Sequence, residues 1–240
     1  MSVYNCYISM TVMGYDLSKA KLDRRRPMRD QIYPLIRDLI LTGVIKPGDS
    51  IDEKEIAAQL SISRTPVREA VKKLSDEHLV DVVAQSGTKV ARIDAHEIEQ
   101  AYLIRRSLEM ECAAQAAPHM NDTHTEALHD ILKLHEKSIE QGKFVQAIGI
   151  DDSFHRYIAQ VAELPRLWHM VEISKAHLDR CRHMLLPRAG EAAATLEQHR
   201  SIIRALNTKA PEAAREAMRQ HLDNSYKGTV RMLEGIAPAN

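Results

Sequence analysis

The stretch from Ser61 to Leu74 constrains the fold more than any other part of the chain, because it encodes a short helix with two different faces. Ser63 is a residue type whose hydroxyl can cap a helix N-terminus, and Pro66 falls in the first turn, where a missing N–H costs least. Apolar residues then recur at helical spacing, and cations occupy other faces: Val67, Ala70, Val71 and Leu74 on one side, Arg64, Arg68, Lys72 and Lys73 on the others.

A basic helix of this kind suits insertion into a DNA major groove. Arg64 and Arg68 lie one turn apart, and an arginine can bind guanine O6 and N7 with two hydrogen bonds, while lysines further along meet phosphates. An isolated basic helix is more often a solvated surface helix. The neighbouring elements therefore decide between the two interpretations.

Two further helices and a hairpin surround the basic helix. The predicted helices run from Arg29 to Thr42 and from an Asp52 cap to Leu60, and the predicted strands run from Leu79 to Val83 and from Lys89 to Ile93, with a turn over Gln85 to Thr88. Three helices followed by a hairpin form a winged helix-turn-helix. The sequence predicts this domain over residues 29–93, after a flexible N-terminal arm over residues 1–28.

Charge and cysteine content narrow the class of protein. The chain has equal numbers of basic and acidic residues, 33 each, but residues 21–92 hold 14 Lys or Arg and 11 Asp or Glu. This excess predicts that a polyanion binds the N-terminal part. Three cysteines without a Cys-x-x-Cys pair argue against a disulfide scaffold, and no apolar run approaches the roughly 20 residues of a membrane span. We therefore expect a cytoplasmic protein without a membrane partner.

The chain after Ile93 has the pattern of an all-helical domain. Alanine-rich amphipathic runs alternate with helix breakers, which predicts about six helices and no strand. The sequence thus predicts a mainly α protein, with an all-α antiparallel helical bundle over residues 94–235 behind the winged helix-turn-helix.

Four residues with metal-ligating side chains fall on the apolar stripes of three of these helices. Asp151 and His155 are four residues apart and lie on one helix face, while His199 and His221 lie on the inward faces of two later helices. A single histidine on an apolar face is usually a hydrogen-bonded core residue. Four polar groups facing one interior are costly to bury alone, and a divalent ion such as Zn, Ni, Fe or Mn compensates for that cost.

The N-terminal motifs resemble those of the GntR superfamily of bacterial transcription regulators. The resemblance rests on Glu-Lys-Glu-Ile-Ala-Ala-Gln-Leu from Glu53, on Ser-Arg-Thr-Pro-Val-Arg-Glu-Ala from Ser63, and on a glycine in the hairpin. It implies that Arg64 and Arg68 read bases and that Thr65 and Lys54 contact DNA. Gly87 would then lie in a wing at the minor groove. Lys54 stands where some members have arginine, and a lysine cannot form the bidentate contact.

Three C-terminal motifs resemble the FadR-type branch of that superfamily, which carries a ligand-binding FCD domain. They are Asp151-x-x-Phe154-His155-Arg156, Glu197-x-His199-Arg200 and Met218-Arg219-x-His221-Leu222. The resemblance implies a metal site at Asp151, His155, His199 and His221, with an effector carboxylate bound by Arg105 and Arg182. For Arg105 the residues leave an alternative open, an ion pair with Glu109 within one helix. We expect the nine other histidines, His135 among them, to be ordinary surface or core residues.

The sequence therefore predicts a DNA-binding transcription regulator, acting as a repressor and a homodimer on a palindromic operator in double-stranded DNA. A small organic or sugar acid would bind at the metal site and change operator affinity. Two alternatives stay open: a metal-dependent hydrolase fused to a DNA-binding module, and a regulator whose metal is purely structural. The predicted protein is not an enzyme.

Overall fold

The N-terminal part of the chain forms a three-helix unit with a small sheet. In the computed structural model, which describes residues 16–17, 20–83, 87–186 and 191–235, the chain divides into two compact units after Asp94. The elements of the first unit are α1 Arg29–Leu41, β1 Ser50–Ile51, α2 Glu53–Gln59, α3 Arg64–Asp76, β2 Val80–Val83 and β3 Gly87–Val90. This order confirms the predicted winged helix-turn-helix.

The sheet of this unit has one strand more than the sequence predicts. β3 lies between β1 and β2 and is antiparallel to both, with Ser50 opposite Lys89 and Val80 opposite Val90. The predicted second strand ends at Val90 rather than Ile93, and Gly87 and Thr88 belong to it rather than to a turn. Gln85 and Ser86 of that predicted turn lie outside the described residues. A two-residue strand such as β1 is defined by its pairing with a neighbouring strand, so no local sequence pattern predicts it.

The two helix starts of the helix-turn-helix are capped differently. The Asp52 carboxylate accepts hydrogen bonds from the backbone N–H of Lys54 at 2.8 Å and of Glu55 at 3.1 Å, as predicted. Ser63 occupies the N-cap position of α3, but its hydroxyl makes no capping hydrogen bond, so that part of the prediction is wrong. Pro66 in the first turn leaves one backbone donor fewer to satisfy, which reduces the need for a side-chain cap.

The described part of the predicted N-terminal arm contacts this unit. Leu17 is buried, and its N–H donates to the Gln59 side chain at 2.8 Å. The Gln31 amide donates to the carbonyl of Asp23 at 2.8 Å, and its oxygen accepts from the Asp23 N–H at 2.7 Å. Leu17 and Asp23 are therefore held against the helices. Residues 1–15 and 18–19 of the arm lie outside the described residues.

The second unit is all-helical, as predicted. Within the residues described it has seven α-helices: α4 Ala95–Ala116, α5 Asp122–Glu140, α6 Phe144–Val161, α7 Pro165–Ser174, α8 Ala176–Leu185, α9 Glu191–Asn207 and α10 Pro211–Glu234. Helix α4 contacts α6, α7 and α10, and a core that includes Phe154, Trp168 and Met218 fills the space between the helices. None of the helices in the described ranges has the length and apolar character that a membrane crossing requires.

The break between α7 and α8 accounts for the helix beyond the six predicted. It falls at Lys175, without a glycine or proline, and the buried Lys175 ammonium contacts Asp152 at 2.8 Å and Asp179 at 2.6 Å. Two carboxylates on different helices hold this cation. A tertiary ion pair therefore lies at the break, and helix periodicity alone gives no signal for the break.

The capping difference leads to a stability prediction. Replacing Asp52 with alanine removes the acceptor for two backbone N–H groups and should cost about 0.5–2 kcal/mol in the N-terminal unit. Ser63→Ala is the matched control and should change stability little, because the hydroxyl makes no capping bond. Hydrogen exchange of the α2 amides measures the difference. Equal effects of the two variants would contradict this assignment of caps.

Candidate nucleic-acid interface and candidate metal centre

Helix α3 presents its predicted reading residues to solvent. Val67, Ala70, Val71 and Leu74 are buried toward the core, where α3 packs against α1. This orientation leaves the Arg64 and Arg68 side chains 56% and 67% exposed. Thr65 and Lys54 are exposed as well. The apolar stripe therefore determines which side chains can reach a ligand.

A single carboxylate lies beside both arginines. Glu53 Oε2 is 3.4 Å from Nε of Arg68 and 3.8 Å from a terminal nitrogen of Arg64. Because Arg68 is held through Nε, its two terminal nitrogens remain available for a planar acceptor pair. Sequence reasoning gave Glu53 no role, although it directly precedes the predicted contact residue Lys54.

An open cleft of about 400 Å³ lies between the start of α3 and strand β3 of the wing. Its lining includes Arg64, Glu53, Gly87 and Thr88. Gly87 has φ +84°, a conformation that strains other residues, and a Cβ atom placed there would meet no heavy atom within 4 Å. The glycine therefore serves the backbone conformation and leaves the surface open to a ligand.

The bundle brings the four predicted metal ligands together. Asp151 and His155 come from α6, His199 from α9 and His221 from α10, and all four are buried. Asp151 carboxylate oxygens lie 3.4 Å from Nε2 of His199 and 3.8 Å from Nε2 of His155. The ligand atoms of the three histidines lie within 4.8 Å of one another. We call these four residues the Asp–His cluster.

His135 of α5 is a fifth ligand-type residue at this place. It is 1% exposed, and its ligand atom lies within 4.8 Å of those of Asp151 and His199. The prediction that His135 is an ordinary histidine overlooked this position. A signal was present, because His135 continues the buried face of α5 that includes Leu128 and Leu132.

Two polar groups outside the Asp–His cluster orient its imidazoles. Glu109 Oε2 lies 2.6 Å from Nδ1 of His155, and Gln198 Oε1 lies 2.8 Å from Nδ1 of His221. The Gln198 contact occupies one ring nitrogen of His221, whereas the short Glu109–His155 contact lacks the alignment of a hydrogen bond. Burial alone would raise the pKa of Glu109, but Arg105 and His155 lower it to about 2, so this carboxylate stays ionised.

The two predicted effector-binding arginines have different surroundings. Arg105 donates from Nε to Glu109 at 2.6 Å, which is the ion pair that the sequence left open as an alternative. Arg182 donates to Asp151, and its other terminal nitrogen lies 2.9 Å from Asp152 and 3.1 Å from Asp179. Burial alone would raise the pKa of Asp151, whereas the Arg182 guanidinium holds it well below its ordinary value.

Both arginines border a small cavity next to the Asp–His cluster. The cavity has a volume of about 40 Å³, and His135, Asp151 and His221 also line it. Hydroxyl groups come from Thr195 and Ser225 in the same lining. This space admits a few water-sized groups beside an ion, which limits a ligand to a small one unless the bundle opens.

The donor set fits a transition-metal ion. Neither ring nitrogen of His135 or of His199 makes a hydrogen bond of correct geometry to another described residue. Burial lowers the pKa of His199 and of His221 well below the ordinary value, so these imidazoles are neutral and keep a free lone pair. Neutral imidazole and carboxylate are the forms that bind divalent ions.

Comparisons with known proteins agree with both units. Residues 28–90 match the family of bacterial regulatory proteins described as gntR, and residues 100–224 match the FCD domain. The Escherichia coli K12 transcriptional repressor RspR is 31% identical over 85% of this chain and 90% of its own length. The "Probable D-xylose utilization operon transcriptional repressor" of Paenarthrobacter nicotinovorans is 28% identical over 90% and 96% of the two chains.

A solved structure supports the fold. The structure of Escherichia coli McbR superposes with a TM-score of 0.75 at 22% identity, over 87% of this chain and 99% of the other. The motifs, the architecture and the similarity across most of the chain lead to one assignment. The chain belongs to the GntR family of DNA-binding transcription regulators and carries a C-terminal FCD domain.

Proposed function

We propose that this regulator is a repressor that binds a palindromic operator as a homodimer, and that a small organic or sugar acid bound at a metal site in the FCD domain controls operator affinity. The observation that carries the proposal is the buried Asp–His cluster with Arg182 beside it. The Asp–His cluster offers a site for a metal ion, and the Arg182 guanidinium can bind a carboxylate. Two relatives whose names describe them as repressors support repression rather than activation.

On the DNA side, Arg64 and Arg68 are the residues that would read bases. Their exposure, their spacing of one turn and the shared contact to Glu53 support this role. Glu53 orients Arg68 through Nε, so the terminal nitrogens can approach O6 and N7 of a guanine together. Thr65 and Lys54 would contact the phosphate backbone, and Gly87 would bring the wing backbone to the minor groove.

On the effector side, Asp151, His155, His199 and His221 would hold the metal ion. A bound Zn, Ni, Fe or Mn ion supplies a Lewis acid that accepts a carboxylate oxygen. Arg182 is the better placed arginine for the rest of the acid, because it contacts the predicted metal ligand Asp151 directly, whereas Arg105 contacts Glu109. An effector carboxylate would compete with Asp151 for Arg182, and that competition links effector binding to the packing of α6 and α8.

Several exposed apolar side chains support association of two copies. Leu103 and Ile104 of α4 are 51% and 40% exposed, and Met170 and Ile173 of the contacting helix α7 are 53% and 44% exposed. Large apolar side chains grouped on a surface mark protein contacts. A dimer places two copies of α3 on two half-sites, which is why the operator would be palindromic. A bacterial regulator of this kind works on the chromosome, so we place it in the cytoplasm.

The alternative of a metal-dependent hydrolase has less support from the site. Such an enzyme needs a group that exchanges a proton near neutral pH. Glu109, a buried carboxylate beside His155, has a pKa lowered to about 2 and is held by Arg105. It is therefore poorly suited to act as a general base or acid.

The DNA contacts lead to the first functional test. Arg64→Ala and Arg68→Ala should each weaken binding to the DNA upstream of the regulator's own operon by about 5–150-fold, because a bidentate base contact is lost. Lys72→Ala changes an exposed position of the same helix. It should weaken binding to all DNA sequences equally and reduce the number of ions released on DNA binding by about one. Fluorescence anisotropy with specific and scrambled duplexes measures both. Arginine variants that retain specific binding would contradict the assignment.

The metal site leads to an effector test. For metal-loaded protein, an active acid among lactate, malate, gluconate and galactonate should lower operator affinity by about 5–150-fold. Asp151→Asn should still bind the operator but should lose both the metal and this response. Asp130→Asn, at an exposed carboxylate of α5, is the control and should behave as wild type. If metal raises the melting temperature but none of these acids changes operator affinity, the metal is structural.

Protons and metal ions compete for the same imidazoles, which predicts a pH dependence. The pKa values of His135, His199 and His221 are lowered by burial, so the unfolded chain gains protons below about pH 6.5 that the folded bundle does not take up. The stability of the metal-free bundle should therefore fall from pH 7 to pH 5, by about 1.4 kcal/mol per proton and pH unit.

Urea unfolding in the presence of a chelator measures this slope. The chain has a single tryptophan, the buried Trp168 of α7, so its fluorescence reports on the bundle alone. His221→Gln removes one titrating group and should make the slope shallower by about one proton. A stability independent of pH over this range would contradict the neutral state of the cluster.

A further inference from the structure

His135 occupies a position that an apolar residue would ordinarily fill. On α5 the residues at positions 128, 132, 135 and 138 face the interior, and the first two are leucines. His135 is 1% exposed, and both of its ring nitrogens lack a hydrogen-bond partner among the described residues. Its ring lies 5.7 Å from the His199 ring, centroid to centroid.

An imidazole in this state is costly for the protein. A buried polar group without a partner costs roughly 1–3 kcal/mol, and a leucine of similar volume would avoid that cost. The same side chain borders the cavity that Asp151, Arg182 and His221 line. A ligand in that cavity would supply the partner that His135 lacks.

The distances are compatible with one ion shared between His135 and the Asp–His cluster. Ligand atoms of His135, Asp151 and His199 lie within 4.8 Å of one another, and so do those of His155, His199 and His221. Donors of one transition-metal ion are at most about 4.2 Å apart, twice a bond of about 2.1 Å. The two groups share His199, and Asp151 also lies 3.8 Å from His155. His199 and Asp151 thus connect the two groups, and one ion bound between them would draw the His135 ring toward the other donors.

We propose that His135 is a further ligand of the metal ion, beyond the four residues of the Asp–His cluster. The proposal rests on the metal site proposed above. It gives the centre five protein donors from α5, α6, α9 and α10, and in a six-coordinate ion it leaves one position for an effector oxygen. Five protein donors favour ions such as Mn, Fe, Co or Ni over Zn, which commonly takes four ligands.

The decisive variant is His135→Leu in the full-length protein. It keeps the buried volume and removes only the nitrogen donors, so metal-free stability, read from Trp168 fluorescence, should be equal or higher. Affinity for Ni²⁺ or Co²⁺, measured by calorimetry against a competing chelator, should fall at least about 10-fold. His129→Leu, at an exposed position six residues earlier on α5, is the matched control and should bind as wild type.

The Co²⁺ complex gives a second readout that a structural role would leave unchanged. Loss of one ligand should intensify the visible absorption of bound Co²⁺ in His135→Leu, because lower-coordinate Co²⁺ absorbs more strongly. If wild type and His135→Leu bind with equal affinity and equal spectra, His135 is not a ligand, while the metal site itself stands. A stoichiometry of two ions per wild-type chain would contradict the proposal that His135 and the Asp–His cluster bind the same ion. If the wild-type protein binds neither ion, the metal proposal fails as well.

Discussion

The contact between Arg182 and Asp151 is the interaction on which the C-terminal unit depends most. Asp151 is 5% exposed, and without a nearby cation its carboxyl group would be driven toward the protonated form by desolvation. Arg182 keeps it ionised and at the same time joins it to Asp152 and Asp179. An ionised Asp151 beside neutral imidazoles is the combination that the proposed cation site requires. The proposed function of the bundle thus depends on one buried ion pair.

The fold was largely predictable because its helices obey simple periodicity. The buried residues of α3 and α6 follow helical spacing, and the Asp52 cap of α2 is a local motif. The errors lie where tertiary contacts override local signals. Strand β1 is defined by its pairing with β3, the α7–α8 break lies at the buried Lys175, and Ser63 occupies a cap position without making the bond.

The candidate site was predictable to the extent that it follows helix faces. An aspartate and three histidines on three apolar stripes indicated one interior cluster, and the structure brings those side chains together. His135 escaped because one histidine on one stripe is usually an ordinary core residue. Only the position of α5 against α6 and α9 shows that its ring lies beside Asp151 and His199. The roles of Glu109 and Gln198 were missed for the same reason, since they act across helices.

A carboxylate effector can change this site only if it binds one arrangement of the bundle better than another. Arg182 offers such a difference, because its guanidinium is already shared among three carboxylates that belong to α6 and α8. A fourth carboxylate would have to displace one of them, and each displaced group would lose an interaction in a desolvated interior. The energy needed for a coupling of 1–3 kcal/mol is within the range of one such exchange. The same residues that stabilise the proposed site would therefore also make it responsive, since the ion-pair network could not admit a new anion without rearranging its helices.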